Sequence, residues 1–327
     1  MADYRVASIR NSQHSVQLLM PSSSPPTPTL IAIDWGTTNR RGYLLDGDGE
    51  ILESAEDGLG ILAVGIAGFE DSLEKFTANW RRSDGSRPPV LMSGMIGSRQ
   101  GWIEAPYALC PTRADNLATS VMRLPTIEDT WIVPGVCLNG ERRDVMRGEE
   151  VQIFGALTLT ERVSTTICLP GTHSKWARVE ENKLTDFATA MTGEMFQIMR
   201  THSILGALMN VDAAHDNDSF RRGLDMSRTP GGLLNHMFSV RADGLFGVID
   251  ADHQSSYLSG LLIGSEIVEL GGHFRNSDEP VLLVGTTVLA RIYGTAFDYL
   301  TIPYEAVDGQ SATIKGLAEI WAVLATK

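Results

Sequence analysis

Cysteine is scarce in this sequence, with only Cys110, Cys137 and Cys168 among 327 residues. Three widely spaced cysteines provide neither a disulfide framework nor the paired ligands of a zinc site. The seven histidines form no HExxH pattern, so a dedicated transition-metal site is not expected. The shortage of cysteine favours a reducing compartment, and we expect the protein to be cytoplasmic.

Long apolar runs and positive charge are also lacking. No run of about 18 apolar residues occurs, so no helix is expected to span a membrane. The formal net charge of -13 argues against non-specific binding of nucleic acid, which needs a basic surface. It does not exclude a nucleotide ligand, because a local pocket and a metal ion can hold ATP on an acidic protein.

Two common nucleotide-binding fingerprints are missing as well. The chain contains no Gly-Lys dipeptide, which excludes the Walker A loop of P-loop kinases. Residues 58–63, GLGILA, match the dinucleotide pattern G-x-G-x-x-A, but Gly65 and Gly68 interrupt the helix that should follow. A nucleotide site in this chain therefore has to come from other turns.

Length and local composition indicate two domains behind a tail. Residues 21–28 hold four prolines and three serines, a composition that cannot form a core. Single cores stop growing beyond roughly 250–300 residues. We therefore expect residues 1–28 to be a disordered tail, residues 29–160 to form one domain and residues 161–327 to form another.

The two predicted domains share an order of elements. Strand-like runs separated by polar turns open both, at 30–34, 41–46 and 50–55 in the first and at 165–171, 176–180 and 184–190 in the second. Both domains then continue in alternating β and α segments. This pattern predicts an α/β fold of two duplicated domains with a cleft between them.

A glycine turn follows the first apolar strand of each half. The turn residues are Gly36, Thr37, Thr38 and Asn39 in the first half, and Gly171, Thr172, His173, Ser174 and Lys175 in the second. Glycine allows a ligand to approach the backbone closely, and successive N–H groups can cradle an anion. We interpret both turns as phosphate-binding loops, with ordinary hairpin turns as the alternative.

Carboxylates stand beside these turns. Asp34 would repel ATP unless Mg²⁺ lay between them, and Mg²⁺ commonly uses one or two protein carboxylates plus waters. An Asx-turn is the alternative for Asp34, and both can be true. Glu149 and Glu150 follow Gly148 at the start of a predicted helix, where acidic residues have a purely structural explanation. In the functional interpretation, one of them is the general base that deprotonates a sugar hydroxyl.

Residues 93–102, SGMIGSRQGW, combine groups that suit a sugar acid. Ser93 and Trp102 could hydrogen bond to and pack on a sugar, and Arg99 could bind a carboxylate through two parallel hydrogen bonds. Arg147 is a second candidate for a carboxylate or phosphate. A surface loop with a packing tryptophan is the alternative.

Taken in order, the motifs DWGTTN, SGMIGSRQGW, PYALCPT, MRGEE, LPGTHSKW, TGE…HS and VGTTVLARIY resemble the 2-dehydro-3-deoxygalactonokinase family. The resemblance runs from about Leu30 to the end of the chain. It implies the ribonuclease H-like fold of actin and hexokinase, within the acetate and sugar kinase/Hsp70/actin superfamily. It also implies ATP and Mg²⁺ in the cleft, and phosphorylation of the 6-hydroxyl of 2-dehydro-3-deoxy-D-galactonate in galactonate breakdown.

The resemblance implies roles for individual residues too. Gly285 and Thr286 in VGTTVLARIY match the adenosine-contacting turn. The MRGEE segment lies where related carbohydrate kinases place a catalytic aspartate followed by glutamine. Here the pair is Glu149 and Glu150, so the choice between them stays open.

Two other functions are compatible with the sequence. A kinase of the same fold could act on another keto-sugar acid or on an aldonate. A non-catalytic ATP-binding, actin-like protein is the second alternative, although the chain has no basic helix-turn-helix extension and no long partner-binding insertion. The sequence carries no signal for oligomeric state, and a homodimer is a hypothesis without a motif behind it.

Overall fold

The computed structural model describes residues 27–65, 68–275 and 279–326. The predicted tail, residues 1–28, lies outside the described residues except for its last two positions. The strands are β1 (Leu30–Trp35), β2 (Arg40–Leu45), β3 (Ile51–Asp57), β4 (Val90–Ser93), β5 (Ala108–Leu109), β6 (Met122–Arg123), β7 (Thr130–Ile132), β8 (Val136–Asn139), β9 (Arg143–Met146), β10 (Thr165–Leu169), β11 (Ser174–Glu180), β12 (Lys183–Ala190), β13 (Val281–Gly285) and β14 (Tyr304–Asp308).

The helices connect and cover these strands. They are α1 (Ile61–Val64), α2 (Phe69–Phe76), α3 (Ala114–Thr119), α4 (Glu149–Thr160), α5 (Thr192–His202), α6 (Asn217–Ser227), α7 (Leu233–Leu245), α8 (Gln254–Glu266), α9 (Gly272–Phe274), α10 (Thr287–Tyr299) and α11 (Gly309–Leu324). None of the helices within the described ranges is both long enough and apolar enough to cross a membrane.

The two large sheets repeat one strand order. The first sheet runs β3-β2-β1-β4-β7-β6 and the second runs β12-β11-β10-β13-β14. In each, the first three strands pair antiparallel. The next strand pairs in parallel with the first strand of the half, β4 with β1 and β13 with β10. One more strand then pairs in parallel with that one, β7 with β4 and β14 with β13. The inner strands β1 and β10 are buried along most of their length, as strands covered on both faces must be. The predicted duplicated α/β fold is confirmed.

One apolar core joins the two sheets. Helix α11 contacts β1 and β4 of the first sheet and β13 and β14 of the second, and it packs along α4. Buried residues of both sheets therefore belong to a single cluster, including Ala32, Leu91, Leu169 and Val284. Because α4 ends at Thr160, the predicted division at residue 160 falls between α4 and β10, and this division stays a prediction.

Helices α4 and α11 cross at two glycines. A Cβ atom on Gly155 would lie 1.8 Å from the Ala312 carbonyl oxygen, and one on Gly316 would lie 2.1 Å from the Val151 carbonyl oxygen. Real Cβ contacts are never this short, so only glycine permits this backbone-to-backbone approach. The crossing fixes the distance between the two halves at this point.

Candidate active site

Asp34 and the first glycine turn lie between β1 and β2. The Gly36 N–H donates to the Asn39 carbonyl at 2.9 Å, which closes the turn and leaves Thr37, Thr38 and Asn39 exposed. The segment that follows β3 supports the turn from outside, because the Ile61 N–H donates to the Gly36 carbonyl at 3.0 Å.

This supporting segment was not predicted from the sequence. It is part of GLGILA, whose match to the dinucleotide pattern is interrupted by Gly65 and Gly68. A Cβ atom on Gly60 would lie 2.4 Å from the Thr37 carbonyl carbon, so the glycine is needed for close packing against the turn. The spacing of glycines in residues 58–60 was the available signal.

The carboxylate of Asp34 is in an unfavourable setting for a charge. The pKa of Asp34 is raised to about 6, chiefly by burial and also by the nearby Glu149 carboxylate, and Arg41 opposes this shift. Gly94, with a φ of +89°, packs beside it, because a Cβ atom there would lie 3.0 Å from the Asp34 Oδ1 atom. Within the described residues no turn amide donates to this carboxylate, so the Asx-turn interpretation receives no support.

The second glycine turn lies between β10 and β11 and packs on the start of α5. The Glu194 N–H donates to the Thr172 carbonyl at 3.0 Å, and the Glu194 carboxylate lies 2.5 Å from the His173 Nε2 atom. A Cβ atom on Gly193 would lie 2.5 Å from the Gly171 carbonyl oxygen. The TGE motif therefore holds this turn in place.

Glu149 and Lys175 bring the two halves together. The Lys175 Nζ atom lies 3.3 Å from the Glu149 Oε1 atom, and it donates to the His173 carbonyl at 3.1 Å. Glu149 also accepts the Arg147 N–H at 3.0 Å. Lys175 is buried and Glu149 is partly exposed, so the carboxylate reaches solvent with a cation from the opposite half beside it.

Glu150 has the opposite environment. It is fully buried, and both of its carboxylate oxygens accept the Gly148 N–H, at 2.9 and 2.7 Å. Burial raises its pKa to about 8, and the charge of Glu149 adds to the shift. Gly148, with a φ of +106°, makes the turn that allows this arrangement and packs against Gly94.

Asp34 lines one cavity and the second glycine turn lines another. One, of about 300 Å³, is lined from the first half by Asp34 and Arg41 and from the second half by Gly285, Thr286 and Asp308. The other, of about 720 Å³, is lined by the second turn, by α5 and by Leu289 of α10. The structure thus places Asp34 and the predicted adenosine turn around one space, with a larger open space beside the second turn.

The predicted sugar-acid ligands are dispersed. Ser93 is buried with its hydroxyl 3.5 Å from the Ile33 carbonyl, and Trp102 stacks on Phe69 with ring centroids 6.1 Å apart. The Arg99 side chain is 86% exposed and pairs with Glu104 at 3.5 Å. None of these three side chains lines either of the two cavities.

Arg147 is held differently. It is only 9% exposed, its Nη2 atom donates to the Ala105 carbonyl at 2.8 Å, and its guanidinium lies 4.4 Å from the centroid of the Tyr107 ring. Its Nε and Nη1 atoms are buried and have no hydrogen-bond partner among the described residues. Buried guanidinium N–H groups without an acceptor are costly, which is expected where a ligand supplies the acceptor.

The Asp34 carboxylate is a ligand of the kind that Mg²⁺ uses. Across the described ranges, no group of three or more histidine, cysteine, aspartate or glutamate side chains is placed to hold a metal ion. Mg²⁺ does not need such a group, since it binds through one or two carboxylates together with phosphate oxygens and waters. A nearby cation would also offset the cost that burial imposes on the charged form of Asp34.

Comparison with known proteins agrees with the motifs and with the fold. The family profile described as 2-keto-3-deoxy-galactonokinase matches residues 34–320. The 2-dehydro-3-deoxygalactonokinase of Escherichia coli K12 is 34% identical over 295 residues, which cover 90% of this chain and 98% of that protein.

Solved structures show the same relationship. A Sinorhizobium meliloti protein provisionally assigned as a 2-dehydro-3-deoxygalactonokinase is similar with a TM-score of 0.84 and 32% identity, covering 89% of this chain and 97% of that one. The (R)-2-hydroxyglutaryl-CoA dehydratase component A of Acidaminococcus fermentans, at 13% identity and a TM-score of 0.52, shares the fold over 90% of this chain and 98% of its own. These similarities confirm the resemblance seen in the sequence motifs, and the chain belongs to the 2-keto-3-deoxy-galactonokinase family.

Proposed function

We propose that the protein transfers the γ-phosphoryl group of ATP to the 6-hydroxyl of 2-dehydro-3-deoxy-D-galactonate. The contact between Lys175 and Glu149 carries the proposal, because it joins the second phosphate turn of one half to the candidate base of the other. The name and near-complete coverage of the Escherichia coli relative support this acceptor. The three free cysteines are consistent with a reaction in the cytoplasm.

The two turns and Asp34 bind the nucleotide in this proposal. Residues 36–39 and 171–174 bind the phosphates, and the 720 Å³ cavity beside α5 and α10 receives the nucleoside. Gly285 and Thr286, the predicted adenosine-contacting turn, line the smaller cavity together with Asp34. Asp34 would hold Mg²⁺, which when bound supplies neutralisation of the phosphate charge.

Glu149 is the better candidate for the general base. It is partly exposed, whereas Glu150 is fully buried and is largely protonated at neutral pH because its pKa is about 8. The acceptor hydroxyl passes its proton to the Glu149 carboxylate as its oxygen bonds to the γ-phosphorus. The bond from that phosphorus to the leaving ADP oxygen breaks in the same step. Lys175 holds the Glu149 side chain in place.

Arg147 is the better candidate for binding the substrate carboxylate. It is buried, and two of its N–H-bearing atoms lack an acceptor within the described part of the chain, whereas Arg99 is solvated and already ion-paired. A guanidinium forms strong charge-assisted hydrogen bonds with a carboxylate, and the Nε and Nη1 atoms of Arg147 have no acceptor within the described residues.

Coupled ATP-consumption assays across a panel of sugar acids test the function. We expect 2-dehydro-3-deoxygalactonate to give the highest kcat/KM, and equal rates with gluconate would remove the substrate assignment. ATP binding without phosphorylation of any acid would favour the non-catalytic alternative.

A pair of arginine variants tests the carboxylate site. Arg147→Met should raise the KM for the sugar acid by roughly tenfold or more, because a hydrogen bond between charged groups is lost. It should leave the KM for ATP unchanged. Arg99→Met is the matched control and should leave both KM values unchanged. The reverse result would move the carboxylate site to Arg99.

A further inference from the structure

A buried carboxylate lies behind the second turn and takes no part in the proposed chemistry. Glu266, the last residue of α8, is 5% exposed. Its carboxylate accepts hydrogen bonds from the Trp176 indole at 2.9 Å, from the Tyr293 hydroxyl at 2.8 Å and from the Thr192 hydroxyl. Burial raises the pKa of Glu266 and these donors oppose the shift. A buried carboxylate is tolerated where donors surround it, as they do here.

Each donor comes from an element that borders the candidate nucleotide site. Trp176 lies on β11, two residues after Ser174. Thr192 is the first residue of α5, and the residue after it, Gly193, packs against Gly171. Tyr293 lies on α10, which follows the predicted adenosine turn. One carboxylate therefore connects three elements that are distant in sequence.

The network also reaches the turn itself. The single hydroxyl proton of Tyr293 is donated to Glu266, so its oxygen is free to accept from the Ser174 hydroxyl, 3.0 Å away. The Ser174 Oγ atom in turn lies 3.4 Å from the Gly171 N atom. We propose that Glu266 is a positioning residue that fixes the second turn, α5 and α10 in their nucleotide-binding arrangement. This inference rests on the proposed kinase function.

Glu266→Gln tests the proposal, because the variant keeps the size of the side chain and replaces one acceptor oxygen by a donor nitrogen. We expect the Kd of a non-hydrolysable ATP analogue with Mg²⁺, measured by calorimetry, to rise roughly tenfold, as for one lost hydrogen bond to a charged group. The KM for ATP should rise in parallel while the KM for the sugar acid stays unchanged. Tyr293→Phe should act in the same direction and provides the test if Glu266→Gln fails to fold.

Gln254→Leu is the matched control, since Gln254 is buried at the other end of α8. It should lower thermal stability and leave the nucleotide Kd unchanged. An unchanged Kd in both Glu266→Gln and Tyr293→Phe would overturn this inference alone. Loss of kcat and of both affinities in step with thermal stability would show a merely structural role and overturn it too. Failure of the unaltered protein to bind the analogue would overturn the kinase function as well.

A second observation concerns the surface of α7. Six exposed apolar side chains, which we call the α7 patch, lie on or beside this helix: Ile204, Leu234, Phe238, Leu245, Phe246 and Val248. Leu234, Phe238 and Leu245 fall on one helical face, because offsets of 4 and 11 residues bring side chains close to the same direction. The buried residues His236 and Val240 lie on the other side of the helix.

The side chains of the α7 patch are strongly exposed. Arg241 joins Ile204 to the helix, because its Nη1 atom lies 3.5 Å from the Ile204 carbonyl oxygen. Leu234 is 84% exposed and Phe246 is 85% exposed. Apolar patches beyond a few hundred Å² are rare on monomers and indicate interaction sites. None of the six side chains lines either cavity of the candidate active site.

The area of the α7 patch fits a second copy of this chain. The two phenylalanines and four aliphatic side chains present on the order of 500 Å² of apolar surface. A standard interface buries about 800 Å² per partner, and about 65% of a homodimer interface is apolar. The apolar area that each partner buries in such an interface is therefore similar to that of the α7 patch. We infer that the protein forms a two-fold symmetric homodimer in which the α7 patches face each other.

Analytical ultracentrifugation of the full chain tests the dimer. We expect a dimer at micromolar concentration and a monomer for the double variant Leu234→Glu/Phe238→Glu, with kinase activity per chain retained as the check of folding. Val163→Glu, at an apolar side chain that is 57% exposed outside the patch, is the matched control and should stay dimeric. A monomeric unaltered protein, or a double variant that stays dimeric, would overturn the inference.

Discussion

Glu149 and Glu150 are neighbours in sequence, but Glu149 is partly exposed and Glu150 is fully buried. We therefore expect their substitutions to have different effects. Glu149→Gln should lower kcat by at least about 10²-fold, because general-base assistance is commonly worth about 10²–10⁴. Glu150→Gln should keep most of the rate, because its carboxyl is already largely uncharged at neutral pH. Steady-state kinetics with saturating ATP and sugar acid measure both values. A dead Glu150→Gln beside a normal Glu149→Gln would move the base by one position.

Asp34 predicts a pH-dependent change in stability. Because its pKa in the fold is raised from 3.8 to about 6, its contribution to stability is fully present below about pH 4 and is lost as the pH rises through 6. Without Mg²⁺, Asp34→Asn should therefore raise the free energy of unfolding at pH 8 by on the order of 2–3 kcal/mol, and by almost nothing at pH 4. Urea denaturation at both pH values measures the difference.

The same variant should be nearly inactive if Asp34 holds the metal ion. Asp48→Asn, in the exposed turn between β2 and β3, is the control and should show neither effect. A less stable Asp34→Asn at pH 8 would contradict the electrostatic argument, and a normal rate would contradict the metal assignment.

The sequence predicts which residues are candidates for the site better than it predicts the contacts between them. Asp34, the two turns and the Glu149–Glu150 pair were recognisable because each has a local signature of strand, glycine and polar residue. The ion pair between Lys175 and Glu149 has no local signature, because it depends on how the two halves pack. For the same reason the local composition that suggests Ser93 and Arg99 carries no information on the burial of one and the exposure of the other.

The crossing of α4 and α11 makes a prediction at the scale of elements. Gly155→Ala would place a methyl group against the backbone of α11, which cannot move aside as a side chain does. Overpacking a core typically costs about 1–3 kcal/mol, and we expect at least about 2 kcal/mol here despite the better helix propensity of alanine. Chemical denaturation measures the loss.

Gly140→Ala is the matched control, because no atom lies within 4 Å of the Cβ position there. It should leave stability within about 0.5 kcal/mol of the unaltered protein. A Gly155→Ala variant as stable as this control would show that the two helices separate easily.

Some elements of the fold have a clear signal in the sequence and others have none. The triple strands that open each half were recognisable because short apolar runs alternate with Gly, Asp and Asn turns. Helix α8 was not identified, because it is buried on nearly all sides and its apolar run lacks helical periodicity.

The apolar core that the two halves share predicts that the protein unfolds as one cooperative unit rather than as two. The largest apolar cluster takes residues from both sheets and from α4 and α11, so each half alone would expose part of this core. We expect the full chain to unfold in a single transition, and separately produced segments 27–160 and 161–327 to lack cooperative unfolding. Calorimetry and circular dichroism measure this. An independently folded segment would show that the halves are autonomous.

The ion pair across the cleft also bears on what happens when ATP is bound and the sugar acid is absent. Lys175 holds the Glu149 carboxylate in one position, where it can take the proton of the acceptor hydroxyl but not that of a water molecule bound elsewhere, so hydrolysis of the nucleotide should be slow. Replacing Lys175 with methionine should release Glu149, raise phosphate production in the absence of acceptor and slow transfer to the acceptor. If acceptor-free hydrolysis does not rise, protection against futile turnover has another origin.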